Sequence, residues 1–196
     1  MQFISLLALA PLALAAPLTS RAESGTPGIF TVISARSASP VHLLGWTVRD
    51  GGVFLSGESS AYCPDNANID CSGYSNTTAF GANTAYDSLS LNDGVPGGQQ
   101  AYIQKNGALG YTQAHSASIP EGASRTGFSY TAPAEGQSFG YLSYKENGAT
   151  GFVACTADDG TYQVFADVDG GDFSNCLGFD ALASPYSGKP AWEFTG

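Results

Sequence analysis

Short apolar runs, each bounded by polar or glycine-containing turns, recur along most of this chain. FTVIS (30–34), GVFLS (52–56), QAYIQ (100–104), ALGYTQ (108–113), FGYLSY (139–144), TGFVAC (150–155) and TYQVFA (161–166) are rich in β-branched and aromatic residues, the composition of strands. No long window sustains a helical period. Asp-Gly and Asn-Gly dipeptides begin at Asp50, Asp93, Asn106, Asn147, Asp159 and Asp169. Both residues tolerate positive φ, so each dipeptide is a candidate hairpin turn. The regular spacing predicts an antiparallel all-β domain, either a sandwich or a barrel. SARSASPVH from Ser34 and QAHSASIPEG from Gln113 each place Ser-Ala-Ser ahead of a proline, which keeps a β-trefoil-like duplication as an alternative. The local account is a strand exit whose hydroxyls bond freed backbone groups.

Composition agrees with strands and narrows the partners. Charged residues are 12% of the 196, while glycine reaches 25, tyrosine 10 and phenylalanine 11. Seventeen acids against seven bases leave a net charge of -10, which repels a phosphate backbone and argues against nucleic acid.

The amino-terminal run MQFISLLALAPLALAAP ends in Ala13-Leu14-Ala15, the small-residue pattern of a secretory signal peptide over 1–15. Pro11 interrupts it, and it is shorter than the ~20 residues a membrane span needs. Residues 16–28, APLTSRAESGTPG, read as a flexible leader. The remainder, 29–196, is read as one secreted β domain.

Secretion changes the meaning of the cysteines. Cys63, Cys71, Cys155 and Cys176 are an even set in an oxidising compartment, and two disulfides are expected. Four cysteines allow three connectivities. Cys63–Cys71 and Cys155–Cys176 are favoured because each pair brackets its own turn-rich segment, closing loops that contribute about 2.6 and 3.4 kcal/mol in the chain-entropy model. No Cys-x-x-Cys or neighbouring histidine supports zinc.

Catalytic chemistry finds little support. His115 stands among Thr112, Ser116 and Ser118, but Ser116 follows it directly, adjacent strand residues point to opposite faces, and there is no Gly-x-Ser-x-Gly elbow. His115 and His42 are both read as hydrogen-bonded structural histidines, with no catalytic residue assigned. DVDGGD (167–172) departs from the EF-hand calcium template at its sixth and twelfth positions, Asp172 and Gly178; a solvated hairpin tip is the simpler reading, and no metal or cofactor is expected. Asn76-Thr77-Thr78 is a sequon, so Asn76 is the expected N-glycan acceptor on a surface loop.

FTVISARSASPVHL, AYIQKNGALGYTQAHSASIPEG, GFVACTADDGTYQVFA and CLGFDALA with AWEFT together resemble the fungal secreted IgE-binding proteins related to PhiA-type cell wall proteins of conidia. The likeness runs from Phe30 to Thr195. It implies a non-enzymatic protein of the fungal wall or extracellular space, engaged in wall and conidial biology or in host interaction as an elicitor of plant defence or an allergen-like protein. A lectin-like polysaccharide-binding module is the alternative, motivated by Trp46, Trp192 and the ten tyrosines. Six of the seventeen acids lie between Asp158 and Asp180. Asp158, Asp159, Asp169 and Asp172 are therefore the candidate acidic face for basic host defence proteins, wall polysaccharide being the other expected partner. The same charge also serves solubility. A monomer is expected.

Overall fold

The computed structural model describes residues 28–64 and 69–196. The expected signal peptide (1–15), all of the expected leader but Gly28, and residues 65–68 lie outside that range. In chain order the strands are β1 (Ile29–Ala35), β2 (Trp46–Arg49), β3 (Gly52–Leu55) and β4 (Ala61–Tyr62), then a 3-10 turn at Cys71–Gly73. There follow β5 (Phe80–Asn83), β6 (Ser88–Leu91), β7 (Ala101–Ile103), β8 (Leu109–Tyr111) and β9 (Phe128–Thr131). The last five are β10 (Gly140–Tyr144), β11 (Phe152–Thr156), β12 (Tyr162–Ala166), β13 (Leu177–Pro185) and β14 (Glu193–Phe194).

Every pair of neighbouring strands is antiparallel, in the order β6-β5-β1-β13-β11-β12-β3-β8-β7. That path closes on itself. A bridge joins Ser90 to Gln100, and Leu91 N donates to Gln99 O at 2.9 Å, linking β6 to the approach to β7. The all-β expectation therefore resolves into a barrel-like ring, with β2 added along β3 and the β9–β10 hairpin branching from β13. The order has no threefold repetition of the trefoil kind.

Alternation builds the core. Along β1 the even positions Phe30, Val32 and Ser34 are buried while the odd ones reach the surface, as a half-buried strand requires. Trp46 packs edge-on against Phe80, Phe152 and Phe179 at the centre of the interior, a geometry favoured by the ring quadrupoles. The long strand β13 joins the two parts of the ring, pairing with β11 over Leu177–Phe179 and with β1 over Asp180–Pro185.

Three of the Asx-Gly dipeptides are hairpin turns. Asp50 and Gly51, at φ 51° and 72°, form the two-residue β2–β3 connection with both residues left-handed. Asn106-Gly107 turns β7 into β8, and Asp159-Gly160 turns β11 into β12. At Gly107, φ is 91° and a Cβ would fall 2.3 Å from Ala166 O, so only glycine fits. The others differ from expectation. Asn147-Gly148 and Asp169-Gly170 occupy two facing loops tied by Asp169 N to Asn147 O at 2.8 Å, and Asp93 bridges Ala191 in parallel.

Both disulfides have the expected connectivity. Cys155 and Cys176 lie one step beyond the Ala154–Leu177 pair and are 4.4 Å apart at Cα, the spacing of a non-hydrogen-bonded antiparallel pair. The bridge therefore staples the start of β13 to β11. Cys63–Cys71 links the segment after β4 to the 3-10 turn. Among the described residues no helix is long and apolar enough to cross a membrane.

Candidate functional site

The outer face of β1, β13 and β10 carries an apolar row set by register. Ile33 lies opposite Leu182, Leu182 opposite Tyr141, and Tyr141 opposite Thr131 of β9. Gly140, Leu142 and Tyr144 point inward, so alternation sends Phe139 and Tyr141 outward, where they are 40% and 56% exposed. With strands about 4.8 Å apart, Tyr141 stands roughly 10 Å from Ile33 across the sheet.

Ile33 is also where this row meets a cleft. β1 pairs with β5 through Ile29 and Phe30, then touches the approach to β2 through the Ile33–Gly45 bridge. The gap between is a cleft of about 490 Å³ whose walls include Thr31, Thr47, Glu58, Ser59, Asn76 and Thr77. Thr47 Oγ1 donates to Ser56 O at 2.8 Å, and Ser59 Oγ and Thr78 Oγ1 share a hydrogen bond of 2.8 Å. Hydroxyls and an amide share these walls with apolar surface from Ile33 and Trp46, and Glu58 is the charged group. An uncharged ligand with many hydroxyls and some apolar faces is the chemistry that such a surface matches.

Asn76 is exposed at the mouth of this cleft, as a glycan acceptor must be. Thr78 below it is buried and accepts a hydrogen bond from Val48 N at 3.1 Å. The neighbourhood of Asn76 is therefore tied to β2.

Around His115 the hydroxyls serve the backbone. Thr112 Oγ1 accepts from Gln100 N at 3.0 Å, and Ser116 Oγ accepts from Ser118 N at 3.1 Å. In the similar segment after β1, Ser34 Oγ bonds Val41 O. Both segments are strand exits of the expected kind. His42 Nδ1 accepts from Arg36 N at 3.2 Å, in keeping with a hydrogen-bonded role. His115 differs. It is exposed in a turn at φ 60°, and its ring has no hydrogen bond among the described residues, because the chain leaves β8 just before it.

The four aspartates of the candidate acidic face are exposed but not brought together. Asp158 and Asp159 sit at the turn before β12, and Asp169 and Asp172 in the connection after it. The five-residue strand between them spans about 17 Å. Asp159 binds Thr161 N and Oγ1 and reaches Arg49 at 3.7 Å, while Asp172 binds Ser174 N and Oγ. Side-chain and backbone hydrogen bonds from those partners hold both carboxyls below their ordinary range. Among the described residues, no group of three or more His, Cys, Asp or Glu side chains could hold a metal ion.

The most perturbed carboxylate is one that the sequence marks only as a turn residue. Burial pushes Asp93 up to about 6, with Glu193 adding to the effect, against the hydrogen bond from Gln99 N and the nearby backbone N–H of Val95. Its Oδ2 accepts from Gln99 N at 3.0 Å, and its Oδ1 is buried without a partner among the described residues. Gln99 is itself fully buried. Its Nε2 donates to Thr112 O and Phe194 O at 2.8 and 2.9 Å, and its Oε1 accepts from Phe194 N at 2.7 Å. The pair clasps β14 to the end of the barrel, beside Tyr111, whose hydroxyl donates to Thr195 O at 2.7 Å. This arrangement is structural.

A family model described as PhiA-like secreted protein matches residues 30–195. An uncharacterized secreted protein of Arthroderma benhamiae is 39% identical over 150 residues, covering 72% of this chain and 73% of that protein. No solved structure matches the chain.

Proposed function

The chain belongs to the family of PhiA-like secreted proteins, and from that premise we propose that it acts without catalysis, as an extracellular protein held to wall polysaccharide by the outer face of β1, β13 and β10. The observation that carries this reading is the row Ile33, Leu182, Tyr141 with Phe139 beside it, running into the cleft of mixed hydroxyl and apolar walls between β1 and β2. Exposed rings supply flat apolar area for the C–H faces of sugars, and the hydroxyls and amide of the cleft walls supply donors and acceptors, while Glu58, the charge among them, stays exposed to solvent. A protein partner would bring charged side chains, which find few complements here. Retention at a wall also needs no reacting group, in keeping with hydroxyls that cap backbone and a histidine exposed in a turn.

The test is depletion of the secreted protein by insoluble β-1,3-glucan, with chitin and mannan as separate arms. Tyr141→Ala and Phe139→Ala are each expected to weaken binding about fivefold to tenfold, the loss of one exposed anchor worth about 1 kcal/mol. Both positions lie outside the core, so thermal unfolding should be nearly unchanged. Absence of binding to all three polysaccharides, or binding that ignores both substitutions, would overturn the proposal.

A further inference from the structure

The cleft between β1 and β2 carries its own sugar acceptor. Asn76 lines the cleft and is exposed at its mouth. The residues on either side are tied down. Ser75 N donates to Pro190 O and Ser75 Oγ to Lys189 O, both at 2.8 Å. Thr77 N donates to Ser75 Oγ at 3.3 Å, and Thr78 Oγ1 is bonded to Val48 N and Ser59 Oγ. Asn76 is therefore a fixed point on the cleft wall, and a chain of sugars attached there starts from a defined place. Thr78, the hydroxyl residue that the sequon needs, is 4% exposed. Glycan transfer must therefore precede closure of this region, and the finished fold leaves the modified Asn76 outside.

Resting on the polysaccharide reading above, we infer that the N-glycan on Asn76 is an intramolecular occupant of this cleft and competes there with external polysaccharide. The walls that suit a neutral glycan chain suit N-acetylglucosamine equally: Thr31, Thr47, Ser59 and Thr77 present hydroxyls, and Glu58 can accept from sugar hydroxyls. A ligand tethered within reach of its site acts at an effective concentration of order 1 mM. If a short sugar binds the cleft with a Kd of about 0.1 mM, the tethered glycan lowers the apparent affinity for external polysaccharide about tenfold. The glycan then sets how firmly the secreted protein is held, and trimming it strengthens retention.

The experiment compares the protein secreted from a glycosylating fungal host with its Asn76→Gln variant, using depletion by insoluble β-1,3-glucan. The variant is expected to bind about tenfold more tightly. Enzymatically deglycosylated wild type provides the same comparison should the variant fold poorly. A second measurement follows endoglycosidase release of the glycan, expected to be at least about tenfold slower from native than from urea-unfolded protein once the enzyme's own loss of rate in urea is corrected. Equal binding by the two forms overturns the inference while leaving the polysaccharide reading intact. Binding by neither form overturns both. Equal release rates, or an unmodified Asn76 in the mass spectrum of the secreted protein, also overturn the inference.

Discussion

Replacing Asp93 with asparagine should change how stability depends on pH. Burial holds the folded-state carboxyl at about 6, against an ordinary value of 3.8. A group raised in this way favours the folded state when protonated, so its contribution is fully present below pH 3.8 and is lost as pH climbs through 6. The full displacement corresponds to about 3 kcal/mol. Because the side chain is only part-buried, solvent screening reduces this to roughly 1–2 kcal/mol. The substituted amide keeps an acceptor for Gln99 N and carries no charge at any pH. In thermal melts the variant should match wild type at pH 3.5 and exceed it by about 3–6 °C at pH 7.5, the divergence developing between pH 4 and 6. Parallel Tm curves across that window would refute the account of Asp93, as would a variant less stable than wild type at pH 7.5 and equal to it at pH 3.5.

Three other outcomes can be measured on the same protein. Removing the Cys155–Cys176 bridge with a double alanine substitution frees the start of β13 from β11 and should cost about 3 kcal/mol, more than removal of the shorter Cys63–Cys71 loop, read from denaturant midpoints. Gln99→Ala strands Phe194 N, Phe194 O and Thr112 O in the interior and should cost about 3–5 kcal/mol, with hydrogen exchange quickening first along β14. His115→Gly relieves a side chain held at φ 60° and should raise stability by up to about 1 kcal/mol, with polysaccharide binding unchanged; loss of binding in that folded variant would return His115 to the functional surface.

The fold was legible wherever a strand announces itself locally. The seven apolar runs are β1, β3, β7, β8, β10, β11 and β12. The strand that joins the two parts of the ring was not legible as such. LGFDALASP (177–185) contains Gly178, Asp180, Ala181 and Ala183, residues of low β propensity, and it is strand because β1, β10 and β11 pair with it on both edges. β5 and β6, with FGAN and SLSL, owe their state to the same tertiary context. The Asx-Gly dipeptides fail as hairpin signals where the flanking strands are not partners: β10 and β11 both pair with β13, so Asn147-Gly148 turns the chain from one partner of that strand to the next.

Less of the candidate site can be read from sequence, because its parts are distant along the chain. In FGYLSY both alternating faces contain an aromatic ring, Phe139 and Tyr141 on one and Tyr144 on the other, so period alone cannot say which turns outward. The choice is made by Leu142 and Tyr144 entering the core. The sequon at Asn76 is plain in the sequence, yet its position on the cleft depends on the bond from Val48 N to Thr78, thirty residues apart. Acidic residues mislead in the opposite direction. Asp158, Asp159, Asp169 and Asp172 are near in sequence, and an extended strand separates them as far as it can, whereas Ile33, Tyr141 and Leu182 are remote in sequence and adjacent in the sheet. In an antiparallel ring, register brings surface residues together more effectively than sequence proximity does, and a ligand that reads several strands at once, as a polysaccharide chain would, samples a surface that no single segment encodes.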